Sequence, residues 1–187
     1  LQPFQPTMFS ATQQVENRMV RHDVLKIAVI LVLILGPSRG DVMAQRQSLK
    51  AQLVGSWVYV SSSATLPDGR PQWGANPKGL LIFTDDGHFS WQVFRSDRPR
   101  FASNDRTKGT PEENKATLQG SLAYFGTYSV DAATKALITH IEGSTFPNSE
   151  GEEQQRVIRR LTADELIYVN AETTLGARVE AVWKRIK

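Results

Sequence analysis

Cysteine is absent from the 187 residues of this chain. Its absence excludes a disulfide framework, a thiolate metal site, a cysteine nucleophile and a lipid-modified cysteine anchor. The fold must hold by packing alone. Histidine is scarce, with three in the sequence, and only His88 and His140 lie beyond residue 44. A metal site would need Glu142 plus a carboxylate from another strand, a thin ligand set, so we expect no metal and no other cofactor. The longest apolar run, Ile27 to Leu35, is nine residues, well short of the roughly 20 that span a membrane as a helix. No excess of one charge exists: 22 Lys and Arg face 19 Asp and Glu, a net +3. With no stripe of alternating basic and aromatic residues, that balance argues against nucleic acid. No Gly-x-Ser-x-Gly elbow and no internal repeat is found.

The short apolar run has the layout of an export signal. Met19 opens it and Val20-Arg21-His22-Asp23-Val24-Leu25-Lys26 gives a mildly basic start. Pro37, Ser38 and Gly40 break the run, and Val42-Met43-Ala44 fits the small-x-small cleavage rule. We expect residues 19–44 to be a secretion signal cleaved after Ala44, giving a secreted or periplasmic protein with no membrane span. Residues 1–18, rich in Gln, Pro and Thr, are expected to be upstream, non-native sequence or a disordered tail. Residues 45–187 remain as one domain, long enough to bury a core without staples.

Period two dominates that domain. Trp57, Tyr59 and Ser61 share one face of the first strand. Strands follow at Leu80 to Thr84 and His88 to Arg95, joined by Asp85-Asp86-Gly87, a strong hairpin signal. Others are expected at Tyr124 to Val130, Leu137 to Ser144, Arg156 to Leu161, Glu165 to Asn170 and Arg178 to Ile186. One helix is expected over about 111–121: Thr110 caps it, Pro111 takes its first position and Glu113 completes a capping box. Leu118 and Leu122 would mark its buried stripe. The whole reads as an all-β, antiparallel up-and-down barrel of about eight strands with one inserted short helix. Gly55-Ser56-Trp57 and Val182-Trp183-Lys184-Arg185 stand as bookends where its two ends would be stitched together.

Leu53-Val54-Gly55-Ser56-Trp57 resembles the Gly-x-Trp opening of lipocalins. More closely, the chain resembles the bacterial and fungal lipocalin-like domain family. The likeness runs through Asn76-Pro77-Lys78-Gly79-Leu80-Leu81-Ile82-Phe83-Thr84, Asp97-Arg98-Pro99-Arg100-Phe101-Ala102-Ser103 and Gly109-Thr110-Pro111-Glu112-Glu113. It continues in Ala123-Tyr124-Phe125-Gly126-Thr127-Tyr128 and His140-Ile141-Glu142-Gly143-Ser144-Thr145-Phe146-Pro147-Asn148, and covers about residues 50–187. The resemblance implies a calycin-type barrel and no settled reaction. It gives Gly55, Trp57, Trp183 and Arg185 structural roles: Trp57 would cap the barrel floor under a basic side chain, Arg185 or Lys184.

Several residues could carry chemistry. His140, Glu142 and Ser144 share one face of a strand; facing the lumen they would form a polar spine able to orient a ligand or exchange protons, facing solvent they would be ordinary surface. They cannot form a catalytic triad, because same-face neighbours stand roughly 6.5–7 Å apart and run parallel. Arg98 and Arg100 sit in a cluster with Arg95 and Arg106. They either reach an anion at the barrel mouth or are clasped by Asp97, Asp105, Glu112 and Glu113. Aromatic residues suffice to line a cup, with Trp91 among them and Tyr128 as the first choice for an inward hydroxyl. Asn148 completes the ligand-binding set. The leading expectation is a binding protein for a small, largely apolar or amphipathic molecule. The alternatives are an isomerase, cyclase or hydrolase using His140 and Glu142, and an envelope module with a filled barrel.

Overall fold

The computed structural model describes residues 47–187 apart from 172, 174 and 175. The expected signal and the residues before it lie outside the described residues. Element order is α1 (Leu49–Leu53), β1 (Gly55–Ser62), β2 (Lys78–Phe83), β3 (His88–Phe94), α2 (Pro111–Gln119), β4 (Ser121–Asp131), β5 (Ala136–Ser144), β6 (Glu153–Leu161), β7 (Glu165–Asn170) and β8 (Val179–Arg185). Each strand pairs with the next and β8 returns to β1, so the sheet closes into an eight-stranded antiparallel barrel. Closure removes both sheet edges and their unpaired backbone groups.

The two bookends meet. Trp57 lies opposite Arg185 in the β1–β8 ladder, and Tyr59 opposite Trp183. Arg185, not Lys184, covers the indole of Trp57, its guanidinium carbon 4.0 Å from the ring centroid. Its N–H groups donate to the carbonyls of Val54 (2.6 Å), Ala163 (2.7 Å) and Gln52. Those carbonyls belong to the α1 end and to the β6–β7 turn, so one side chain ties these two segments to β8 at the closed end. Trp57 Nε1 donates to Leu53 O at 2.9 Å. Gly55 has φ +127°, and a Cβ there would lie 2.6 Å from Arg185 Nη1. Glycine is therefore required by conformation, and a side chain there would push the Arg185 guanidinium off its place.

Below the strands, α1 starts at Ser48, whose hydroxyl accepts from Ala51 N, and buries Leu53 in the core. This short element carries no sequence period long enough to announce it. The longer α2 begins with the expected capping box between Thr110 and Glu113. Its expected buried stripe is absent: Leu118 is 61 % exposed, and Leu122 belongs to β4. Polar contacts hold α2 instead. Glu113 accepts from Ala102 N and Thr110 N, both at 2.8 Å, and its carboxyl is drawn below the ordinary range by those two backbone bonds.

The β2–β3 hairpin turns on Gly87 at φ +97°. Asp86 caps it, accepting from Thr84 Oγ1 and pairing with His88 Nδ1 at 3.0 Å. The hydrogen bonds from Thr84 and then His88 hold the Asp86 carboxyl at about 2. The same contact raises the His88 imidazole above its ordinary 6.5. The Asp86 contribution is therefore present above its ordinary 3.8 and lost as pH falls through about 2. The His88 contribution is present below 6.5 and lost as pH rises through its raised value.

Two outcomes follow from these contacts. Trp57→Ala should cost about 3–5 kcal/mol in denaturant unfolding, as for a fully buried Trp; a loss under about 1 kcal/mol would mean the floor does not depend on it. In an NMR titration, Asp86→Asn should bring the His88 midpoint down towards 6.5.

Candidate functional site

The barrel has two unlike halves. In the closed half Leu81, Phe83, Phe89 and Leu137 interdigitate and leave a void of about 10 Å³, at the limit of what one water needs. In the open half lies a cavity of about 370 Å³, within the usual range for small-molecule sites. Trp91, Tyr168 and Arg156 border both spaces, so they form the cavity floor. Tyr59, Trp73, Leu122, Phe146 and Ala181 supply apolar wall.

Trp73 comes from the β1–β2 connection. That loop folds on itself through the Thr65–Pro71 bridge and a Gln72 N to Ala64 O bond of 2.9 Å. It lays the indole 6.1 Å from Trp91, which in turn stacks on Tyr124 at 4.8 Å with planes 14° apart. Trp183 meets Tyr59 and Trp91 edge-on at 5.2 and 6.0 Å. These rings are fixed by mutual contact, a rigid apolar lining.

Arg156 is the charged residue that lines the cavity among the described residues. Its alternation with Gln154 and Ile158 on β6 turns it inward, and it is 4 % exposed. Nη1 donates to Thr139 Oγ1 at 2.6 Å; Nη2 donates to Gln154 Oε1 at 2.6 Å and Tyr124 Oη at 3.0 Å. The guanidinium also lies over the rings of Tyr168 and Tyr124, at 5.7 and 5.9 Å. Every partner is neutral, and among the described residues no carboxylate pairs with it. Burial opposes its charge, but the phenols of Tyr124 and Tyr168 outweigh that and leave its pKa above the ordinary guanidinium value. Burial also raises the hydroxyls of Tyr124 and Tyr168, so both phenols stay protonated at neutral pH.

The residues expected from sequence fall in different places. Trp91 is in the cavity. His140 and Glu142 are exposed on the outer wall, because Thr139 and Ile141 take the inward positions of β5. The inward face of β5 is Leu137, Thr139 and Ile141, with Thr139 its one polar group, so the luminal polar spine does not form; in a strand one residue is the whole difference between faces. Tyr128 points inward on the right face of β4 but at the closed end, donating to Thr84 O at 2.8 Å and packing on Phe83. Tyr124, four residues earlier and about 13 Å along the strand towards the mouth, is the β4 tyrosine that lines the cavity.

Arg98 and Arg100 do not line the cavity. Arg98 lies over the outward ring of Phe94 and donates to Arg95 O at 2.9 Å; Arg100 is exposed. The clasp expected in this segment forms in part: Arg95 pairs with Asp97 at 2.7 Å, while Asp105 takes Lys108, at 3.2 Å, in place of an arginine. Asn148 is exposed on the turn Pro147–Ser149, whereas its neighbours Phe146 and Ser149 line the cavity. Sequence reasoning missed Arg156, Thr139 and Gln154. The available signal was the phase of Arg156 with Ile158, which Arg159 and Arg160 obscure. Among the described residues no three His, Asp or Glu side chains gather as a metal site, and no helix is long and apolar enough to cross a membrane.

A family model described as a lipocalin-like domain matches residues 54–186. Among solved structures, a lipocalin-like protein from Bacteroides uniformis is 16 % identical, with 72 % of this chain and 99 % of that chain covered and a TM-score of 0.39. A bovine odorant-binding protein complexed with its natural ligand is also 16 % identical, covering 76 % of each chain with a TM-score of 0.38. A redesigned β-barrel is 12 % identical, covering 75 % of this chain and 100 % of that chain, with a TM-score of 0.41. No curated protein matches the chain.

Three neutral acceptors and two phenol rings offset the cost of placing this cation in the barrel. Arg156→Met loses those contacts together with the desolvation cost, so the ligand-free protein should stay within about 2 kcal/mol of the parent in urea unfolding. A loss above about 2 kcal/mol would make Arg156 a structural group instead.

Proposed function

Because the chain belongs to the lipocalin-like domain family, we propose that it is a binding protein that holds a small, largely apolar molecule in its open half and works after export. The observation that carries this reading is the cavity itself, about 370 Å³ walled by Tyr59, Trp73, Leu122, Phe146 and Ala181 above a packed floor. Rigid aromatic walls lose little entropy on binding and offer large contact area. The open volume favours this reading over a barrel filled by its own side chains. The outward His140 and Glu142 give the cavity no acid–base pair, which favours binding over catalysis by those residues. Export rests on the apolar run Ile27 to Leu35 and the Val42-Met43-Ala44 site. A mature N-terminus at Gln45 in the periplasmic or culture fraction would support it; retention of Met19 would contradict it.

The neutral fluorophore N-phenyl-1-naphthylamine tests the cavity. Its emission should rise on mixing with the protein, saturating in the micromolar range. Ala181→Phe, which fills the cavity from β8, should weaken binding about tenfold or more at an unchanged melting temperature, whereas His140→Ala and Glu142→Ala should bind as the parent does. No saturable signal, or equal binding by Ala181→Phe, would contradict the proposal.

A further inference from the structure

We infer that the ligand is a carboxylic acid, bound as its anion with the carboxylate on the cavity floor at Arg156 and the apolar body against Trp73 and Trp91. This deepens the binding reading above and rests on it. The first argument is an imbalance of hydrogen-bonding groups. A guanidinium has five N–H donors, and three hydrogen bonds engage Arg156. Tyr168 is a fourth hydrogen-bonding neighbour of the guanidinium, which leaves one N–H without an acceptor among the described residues. Tyr168 Oη accepts from Trp91 Nε1 at 3.0 Å, and Tyr124 Oη accepts from Arg156. Neither phenol proton has an acceptor among the described residues, and the buried Nε1 of Trp183 has only the already shared Tyr168 hydroxyl beside it. The floor is rich in donors, short of acceptors and positively charged.

The second argument concerns the filled state. In the empty cavity, water can solvate the guanidinium. A ligand that fills the space expels that water, and a purely apolar end over Arg156 would leave a buried, unpaired cation. The site therefore discriminates against apolar molecules lacking an acceptor at one end. A carboxylate meets the need best: one oxygen takes a free Arg156 N–H in a charge-assisted bond, and the other takes a phenol hydrogen of Tyr124 or Tyr168. A neutral amide or alcohol supplies an acceptor but no counter-charge. The neighbouring Glu152 and Glu153 lie in an adjoining outer groove that shares Gln154, Asn170 and Thr173 with the cavity, but they do not line the cavity itself.

Isothermal titration calorimetry with a matched pair of probes, 2-naphthoate and 2-naphthamide, tests this at pH 7. The full chain should bind 2-naphthoate at least about tenfold more tightly than 2-naphthamide. In Arg156→Met the ratio should fall to near one, with 2-naphthamide bound within a few-fold of its parent affinity. Equal affinities for the two probes in the parent protein would overturn the carboxylate inference and leave the cavity reading standing. Binding of neither probe would overturn the cavity reading and this inference with it. The parent ratio needs no variant, so the test survives even if Arg156→Met folds poorly.

Discussion

One guanidinium, that of Arg156, sits inside the barrel with neutral partners only, and the surrounding architecture can be understood as the means of keeping it there. An unpaired cation drawn out of water is among the costliest groups a small domain can hold. It is tolerated here because Thr139, Gln154 and Tyr124 accept hydrogen bonds from it and the rings of Tyr124 and Tyr168 lie against it, while at the closed end Arg185 ties α1 and the β6–β7 turn to Trp57. Two arginines thus divide the barrel. Arg185 has its hydrogen bonds to three backbone carbonyls and stabilises the floor. Arg156 retains unfilled hydrogen-bonding capacity and faces the cavity.

The division has a physical logic. The closed half is packed down to a void of about 10 Å³, a firm base on which the open half keeps its cavity without the fold collapsing into it. The stacked Trp91 and Tyr124 keep their place through mutual contact rather than through a ligand. Such a cavity would be preorganised for the proposed ligand: fixed walls and a fixed donor array would leave little binding energy to be lost in ordering the protein. The outer wall carries ordinary polar residues, including His140 and Glu142, whose exposure separates them from the cavity.

Much of the fold was legible in the sequence. Alternation located all eight strands to within a few residues, Asp85-Asp86-Gly87 fixed one hairpin, and Thr110 to Glu113 marked the start of α2. The Gly55 and Trp57 opening and the Trp183 and Arg185 close met as expected. The site was less legible, for two reasons. On β5 both faces carry apolar and polar residues, so the phase of His140 against Thr139 depends on pairing with β6, where His140 meets Glu153 and Thr139 meets Gln154. Height along the barrel axis is also invisible in a period-two pattern, which is why Tyr128 and Tyr124 are equivalent in sequence and far apart in role. Arg156 escaped notice because an arginine on a strand reads as solvent-facing; its burial emerges only when β6 is laid against β5 and β7.

Native mass spectrometry of the protein purified from its own source under non-denaturing conditions tests the central claim most directly. The account predicts a reproducible extra mass, lost on denaturation and detected on its own as the anion of a small carboxylic acid. A co-purified neutral molecule in its place, or a bare chain that stays bare after addition of 2-naphthoate, would contradict it.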